Sequence, residues 1–235
     1  MKNIQTIAFK EFKSYLSSPM AYIVTAFFLA VTGLFFAISP PTYNETSLSG
    51  FLSTWWALLL LASVLTMRLL AEERKMGTAE LLLTAPVRDS EVILGKFLGS
   101  LFILLSMLAL TLYYPLLLWI FGDPDGGPIF TGYLGLFLLG SNALAVGIFA
   151  SSLSSNQIVS AVVSGGILFI LWFIGTATEF LPRTLGNVIG FFSLSNYFPD
   201  FTLGIIDTRG IVYYLSITVL FLFLAIRSLE NSRWG

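Results

Sequence analysis

Six apolar stretches, most of them long enough to cross a bilayer, constrain this chain more than any other feature. They run over 20–38, 51–70, 97–121, 129–150, 158–180 and 211–226, the last being the shortest. A hydrocarbon core about 30 Å thick needs roughly 20 residues of helix. Backbone polar groups in lipid must be satisfied internally, so the choice lies between helices and a closed barrel. None of the stretches shows the two-residue alternation of barrel strands. The expected fold is therefore an all-α integral membrane protein with six transmembrane helices. Composition agrees: 56% of the 235 residues are hydrophobic and only 11% are charged, against about a quarter charged in soluble domains. The first stretch is long enough to span, and no small-residue cleavage site follows it, which separates it from a signal peptide.

The basic residues set the expected orientation. Lys2, Lys10 and Lys13 precede the first stretch; Arg68, Arg74, Lys75, Arg88 and Lys96 surround the second connection; Arg227 and Arg233 follow the sixth stretch. Only Arg183 and Arg209 fall on the opposite side. This asymmetry predicts that both termini are cytoplasmic. The uncharged connection 151–157 is placed there by alternation alone.

The flanking segments carry further expectations. In residues 1–18, Ile4, Ile7, Ala8, Phe12, Tyr15 and Leu16 recur at helical spacing among lysines. That pattern predicts an amphipathic helix lying in the membrane interface; the alternative is a leader that only sets topology. On the outer side, 39–50 and 122–128 are polar turns. The stretch 181–210 holds too many apolar residues for a solvated loop and too many Gly, Asn, Pro and Asp residues to span. Short helices in or on the outer leaflet are expected there.

Several function classes fall away. A net charge of −1 argues against nucleic-acid binding, which needs a basic patch. The chain has no Cys and no His, removing thiol nucleophiles, the usual general base and the commonest metal ligands. An intramembrane enzyme is thus a poor reading, and no catalytic, cofactor-binding or metal site is expected. No Gly-x-x-x-x-Gly-Lys-Ser/Thr phosphate loop occurs, since Gly95-Lys96 lacks the upstream glycine and the following hydroxyl. Proton-driven carriers bury carboxylate relays, and none is visible near a midplane. Asn142, Thr111 and Ser106 are the notable polar residues within spans, expected to hydrogen-bond between helices. Gly95, Gly99, Ala143, Gly147, Ser151 and Ser164–Gly166 offer close-packing faces. Trp55, Trp56, Trp119 and Tyr133 fall near outer ends, with Trp172 inside the fifth span; all are expected to anchor or pack.

Charge concentrates in residues 67–100, where Arg68, Glu72, Glu73, Arg74, Lys75, Glu80, Arg88, Asp89, Glu91 and Lys96 mix both signs. Mixed signs predict a folded, paired surface. Gly77 is expected to end the extension of the second span and Thr78 to cap a short helix over 79–84 that Pro86 stops. That helix carries Leu81, Leu82 and Leu83, which require a cover. Packing on neighbouring spans and docking into a partner's groove are equal alternatives on physical grounds.

The run E-E-R-K-x-G-T-x-E-L-L-L-T-x-P, followed by E-x-x-x-G-K, resembles the signature of type-2 ABC transporter permeases. Further stretches, at Lys10–Phe12, Ser18–Val24, Thr66–Arg68, Ser151–Val159 and from Phe201, are similar to the gliding-motility-associated subfamily over most of the chain. The resemblance implies one permease domain over 1–235, in which 79–84 is a cytoplasmic coupling helix docking on an ATPase. By position, the implied ATPase-coupling residues are Glu72, Glu73, Gly77, Thr78, Glu80, Leu81, Leu82, Leu83, Thr84 and Pro86. It implies a multi-pass, exporter-type protein of the bacterial inner membrane, with ATP and Mg held by a separate ATPase subunit. The expected partners are that cytoplasmic ABC ATPase, a second permease copy or related chain, and the lipid bilayer. A subunit with a large periplasmic domain would fit the alternative function: cargo-free transmission of ATPase motion.

Overall fold

The computed structural model describes residues 2–38, 48–77, 87–178 and 182–231. Those residues are predominantly helical, without strands, and contain six helices long and apolar enough to cross a membrane. This is the expected all-α membrane architecture. Helix α1 (Lys2–Leu16) leads into α2 (Pro19–Ile38), the first span. The short α3 (Ser49–Leu52) precedes α4 (Trp55–Thr66), and α5 (Ala71–Lys75) continues the second span beyond a break. The third span is α6 (Asp89–Leu110) with α7 (Tyr113–Phe121); α8 (Gly126–Leu153) and α9 (Gln157–Ala177) are the fourth and fifth. Helix α10 (Arg183–Gly190), a 3-10 turn at Leu194–Asn196 and α11 (Phe198–Thr202) precede the sixth span, α12 (Thr208–Asn231).

Helix α8 is the axis of the bundle, contacted by α4, α6, α9, α11 and α12. Every residue from Leu138 to Ile148 is buried. Its small residues explain why the neighbours approach so closely. A Cβ on Gly140 would meet Leu104 and Leu58, and one on Gly147 would collide with Thr66. Glycine thus receives the side chains of the facing helices, as small residues do in membrane packing. By contrast α2 and α9 leave most of their surface outside, with Phe27, Leu34, Val162, Phe169 and Ile170 exposed. Exposed apolar faces of this extent suit lipid.

Capping fixes the helix starts. Asp125 Oδ1 accepts from Gly127 N (2.9 Å) at α8, and Asn156 Oδ1 accepts from Ile158 N (2.9 Å) at α9. The third span differs from a simple apolar rod. It begins at Asp89, well before the apolar stretch at Phe97, and its amphipathic first turns pack along α1. It is interrupted at Thr111–Leu112, where Thr111 Oγ1 donates to Leu108 O (2.7 Å) and accepts from Tyr133 OH (3.1 Å). Hydrogen bonding between spans therefore holds for Thr111. Ser106 instead donates to Phe102 O of its own helix (2.8 Å). Asn142, fully buried, has no hydrogen-bond partner for either amide atom among the described residues.

The segment before α12 is folded inward. Phe201 is fully buried, its backbone carbonyl accepts from Thr131 Oγ1 (2.7 Å), and a Cβ on Gly135 would meet its side chain. Tyr214 OH donates to Leu194 O (2.8 Å), tying the 3-10 turn to α12. Phe191, Phe192, Leu203, Ile205 and Ile206 remain exposed at this aromatic end.

Candidate functional site

The candidate site is the opposite, charged end, where the second and third spans meet α1. Helix α4 stops at Thr66, and residues 67–70 form turns before α5 resumes. The break exposes backbone groups that a continuous helix would pair, and Ser151 of α8 takes them up. Its Oγ accepts from Leu70 N and Ala71 N (3.0 Å each) and donates to Met67 O (3.1 Å). One hydroxyl proton and two lone pairs are all used. The contact also sets the uncharged connection 151–157 beside Arg68–Lys75, on geometry independent of alternation.

Lys96 joins three elements. Its Nζ donates to Glu73 Oε1 of α5 (2.7 Å) and to Glu11 Oε1 of α1 (3.1 Å). The side chain is only 2% exposed, so the cation is out of water and depends on these carboxylates. Helix α1 reaches it because α6 offers glycines where α1 crosses. A Cβ on Gly95 would strike Ile7, and one on Gly99 would strike Glu11 and approach Ala8 O. Asn3 Nδ2 donates to Glu91 Oε2 (3.1 Å), and Glu91 Oε2 also accepts from Arg88 N (3.1 Å), closing the start of α6.

A second tie runs from α1 to α4. Tyr15 is buried and its OH donates to Leu65 O (2.8 Å). Burial raises the phenol pKa against the opposing effect of Arg68, so the donor proton is retained at neutral pH. The Arg68 guanidinium lies 4.8 Å from the Tyr15 ring centroid, and its Nη1 donates to Ser18 Oγ (2.9 Å). Together these groups wall a polar cavity of about 220 Å³ that Glu72 also lines. Gly77 follows α5 with φ +71°, in the left-handed region that favours glycine.

Of the sequence-derived coupling residues, the structure brings Glu73 into the Lys96 pair, puts Glu72 on the cavity wall and sets Gly77 at the end of α5. Thr78, Glu80, Leu81, Leu82, Leu83, Thr84 and Pro86 lie outside the described residues, as does the helix expected over 79–84. Sequence reasoning placed Lys96 in this charged segment without seeing it as the buried centre of a junction, and it missed Glu11, Tyr15 and Ser151 as members of this end. The available signal was Lys96 itself, a cation in the apolar run V-I-L-G-K-F-L, which demands a buried counter-charge. Among the described residues no three acidic side chains converge where a metal ion could sit.

The arrangement is a mechanical junction. Helix α5 is held at one end by Ser151 on the bundle axis and along its length by Lys96, so it cannot shift without disturbing α1, α6 and α8. A comparison with protein families matches residues 38–227 to the family described as ABC-2 family transporter protein. No curated protein matches the chain.

Proposed function

We propose a role for this chain from its family: it belongs to the ABC-2 family of transporter proteins and is the membrane-spanning permease subunit of an ABC transporter. In our reading it is a single permease domain of the bacterial inner membrane with both termini cytoplasmic, and it acts as an exporter. ATP and Mg are held by a separate ATPase, which docks on residues 72–86. Glu72, Glu73, Gly77, Thr78, Glu80, Leu81, Leu82, Leu83, Thr84 and Pro86 are the coupling residues. A second permease copy or a related chain completes the complex, and we group the chain with the gliding-motility-associated subfamily on the likeness of its motifs.

The observation that carries this reading is the bracing of α5 by Lys96 and Ser151. A push on α5 reaches the bundle axis through Ser151 and reaches α6 and α1 through Lys96, instead of dissipating in a loose connection. Conformational change then follows from the different affinities of the ATPase for its two positions. Extraction from native membranes through an affinity tag, followed by mass spectrometry, is expected to recover a stoichiometric P-loop ATPase. Making Leu81–Leu83 polar is expected to lose it. Recovery of other complexes without any ATPase would overturn the reading.

A second reading, transmission of ATPase motion without cargo, is favoured by the exposed Phe191, Phe192, Leu203, Ile205 and Ile206. Such a patch suits a periplasmic subunit. Co-purification of that subunit, with ATPase stimulation that depends on it, separates this reading from cargo export.

A further inference from the structure

At the aromatic end a cavity of about 590 Å³ opens between α3, α8, α9, the 3-10 turn and α11. Its inner wall is a pair of stacked indoles, Trp55 of α4 and Trp172 of α9, with ring centroids 3.4 Å apart and planes 17° from parallel. Phe198 meets Trp172 edge-on at 6.1 Å. The same two tryptophans wall a second cavity of about 220 Å³ on the flank of the bundle. That flanking groove is lined by Leu59, Leu60, Gly165, Leu168 and Phe169, with Leu60 and Phe169 exposed on its rim. A Cβ on Gly165 would meet nothing within 4 Å, so the groove is open at its floor.

No charged residue among the described ones lines either cavity. Three of the hydroxyls on the wall of the larger one, those of Ser53, Ser195 and Thr202, have their protons already committed. Ser53 Oγ donates to Gly50 O (2.7 Å) and Thr202 Oγ1 donates to Pro199 O (2.7 Å). Ser193 Oγ donates to Trp172 O (3.3 Å), so in its 2.8 Å pair with Ser195 Oγ the proton comes from Ser195. A hydroxyl has a single proton and two acceptor sites. What Ser53, Ser195 and Thr202 can offer an occupant is therefore acceptor oxygens.

We propose that the paired cavities on either side of Trp55 and Trp172 bind a neutral amphiphile, its hydrocarbon chain in the flanking groove and a hydroxyl-rich, hydrogen-bond-donating head in the larger cavity. A phosphate or carboxylate head brings acceptors to those acceptors and finds no cation among the described lining residues, so its desolvation is not offset there. A polyol or sugar head supplies the missing donors and lays its apolar face on the indoles. The inference deepens the permease reading by naming the chemical class of what is held. Binding itself needs no ATP, so its failure and the failure of ATPase association are separate results.

Quenching of tryptophan emission by brominated chains tests it. The full chain, carrying Trp56→Phe, Trp119→Phe and Trp234→Phe so that only Trp55 and Trp172 emit, is placed in phosphatidylcholine nanodiscs. Dibromostearoyl glycerol is compared with its phosphate monoester at equal mole fraction. The glycerol form is expected to quench at least about threefold more strongly, the scale of one net hydrogen bond. Thr202→Val, which removes an acceptor, is expected to narrow that ratio, and Gly165→Leu, whose Cβ would meet nothing within 4 Å and whose side chain occupies the groove, to abolish the preferential quenching. Equal quenching by the two probes, no quenching by either, or an undiminished effect in Gly165→Leu would each overturn the proposal.

Discussion

The two ends of this bundle are held by different forces. At the charged end a few directional bonds converge on single atoms: Lys96 Nζ serves two carboxylates and Ser151 Oγ serves three backbone groups. At the aromatic end many rings meet at shallow contacts, including Tyr197 stacked on Tyr213 at 4.5 Å and Phe191 edge-on to both. Directional bonds between buried charges fix one geometry and fail abruptly. Ring contacts are individually small and tolerate sliding. An input that must be transmitted without slack suits the first kind of end, and a surface that must adapt to what it meets suits the second.

That contrast can be broken first at Lys96. Replacing it with methionine takes the shared buried cation from Glu11 and Glu73, leaving Glu11 with the exposed Lys10 at 3.7 Å, and stability is expected to fall by about 3 kcal/mol. The readout is the thermal unfolding midpoint in detergent. Adding Glu11→Gln and Glu73→Gln to the same chain is expected to recover most of the loss; a triple variant as unstable as the single one would show that the charges are not the cause. Ser151→Ala comes next, since two buried N–H groups lose their acceptor at once. A loss of about 2 kcal/mol is expected, with faster amide exchange confined to residues 67–75. If exchange rises equally at both ends, the junction is not local.

Asn142 sits between the two ends and predicts a change of opposite sign. Leucine there removes two unpartnered amide atoms while keeping the volume, so stability is expected to rise by about 1 kcal/mol. A fall in the unfolding midpoint would mean that the amide has an unseen partner. The smallest effect is expected at the aromatic end. Thr131→Val withdraws a hydrogen bond from Phe201 O, at a cost of about 0.5–1 kcal/mol, and leaves ATPase association intact. Loss of ATPase association in that variant would show that the ends are less separable than their chemistry implies.

The spans were legible because their continuous apolar runs need no tertiary information. Which span lies at the centre was harder to see, because all six are similarly hydrophobic. The distinguishing mark of α8 is its size pattern, with Gly132, Gly135, Gly140 and Gly147 interleaved with Ala143 and Ala145. Small residues at such positions suit a helix surrounded by others, yet the same pattern also fits a contact between copies. At the charged end Glu73 and Gly77 stand out in a dense local cluster. Glu11 and Ser151 do not, since their partners lie 85 and about 80 positions away in the chain and nothing local selects them. The flank of α9 shows the converse: Gly165 and Gly166 resemble packing glycines, but a Cβ on either would meet nothing.

The cradling of α1 by Gly95 and Gly99 has a consequence for biogenesis. Translation proceeds at roughly 5–20 residues per second, so the 85 positions separating Glu11 from Lys96 correspond to about 4–17 s. Throughout that interval the first helix has been made and the surface it belongs on has not. Its apolar stripe of Ile4, Ile7, Ala8 and Phe12 must be sheltered meanwhile, and the bilayer surface beside the ribosome is the available shelter. The third span, as it emerges, collects a helix that has been waiting at the membrane and delivers Lys96 to the carboxylate already parked there.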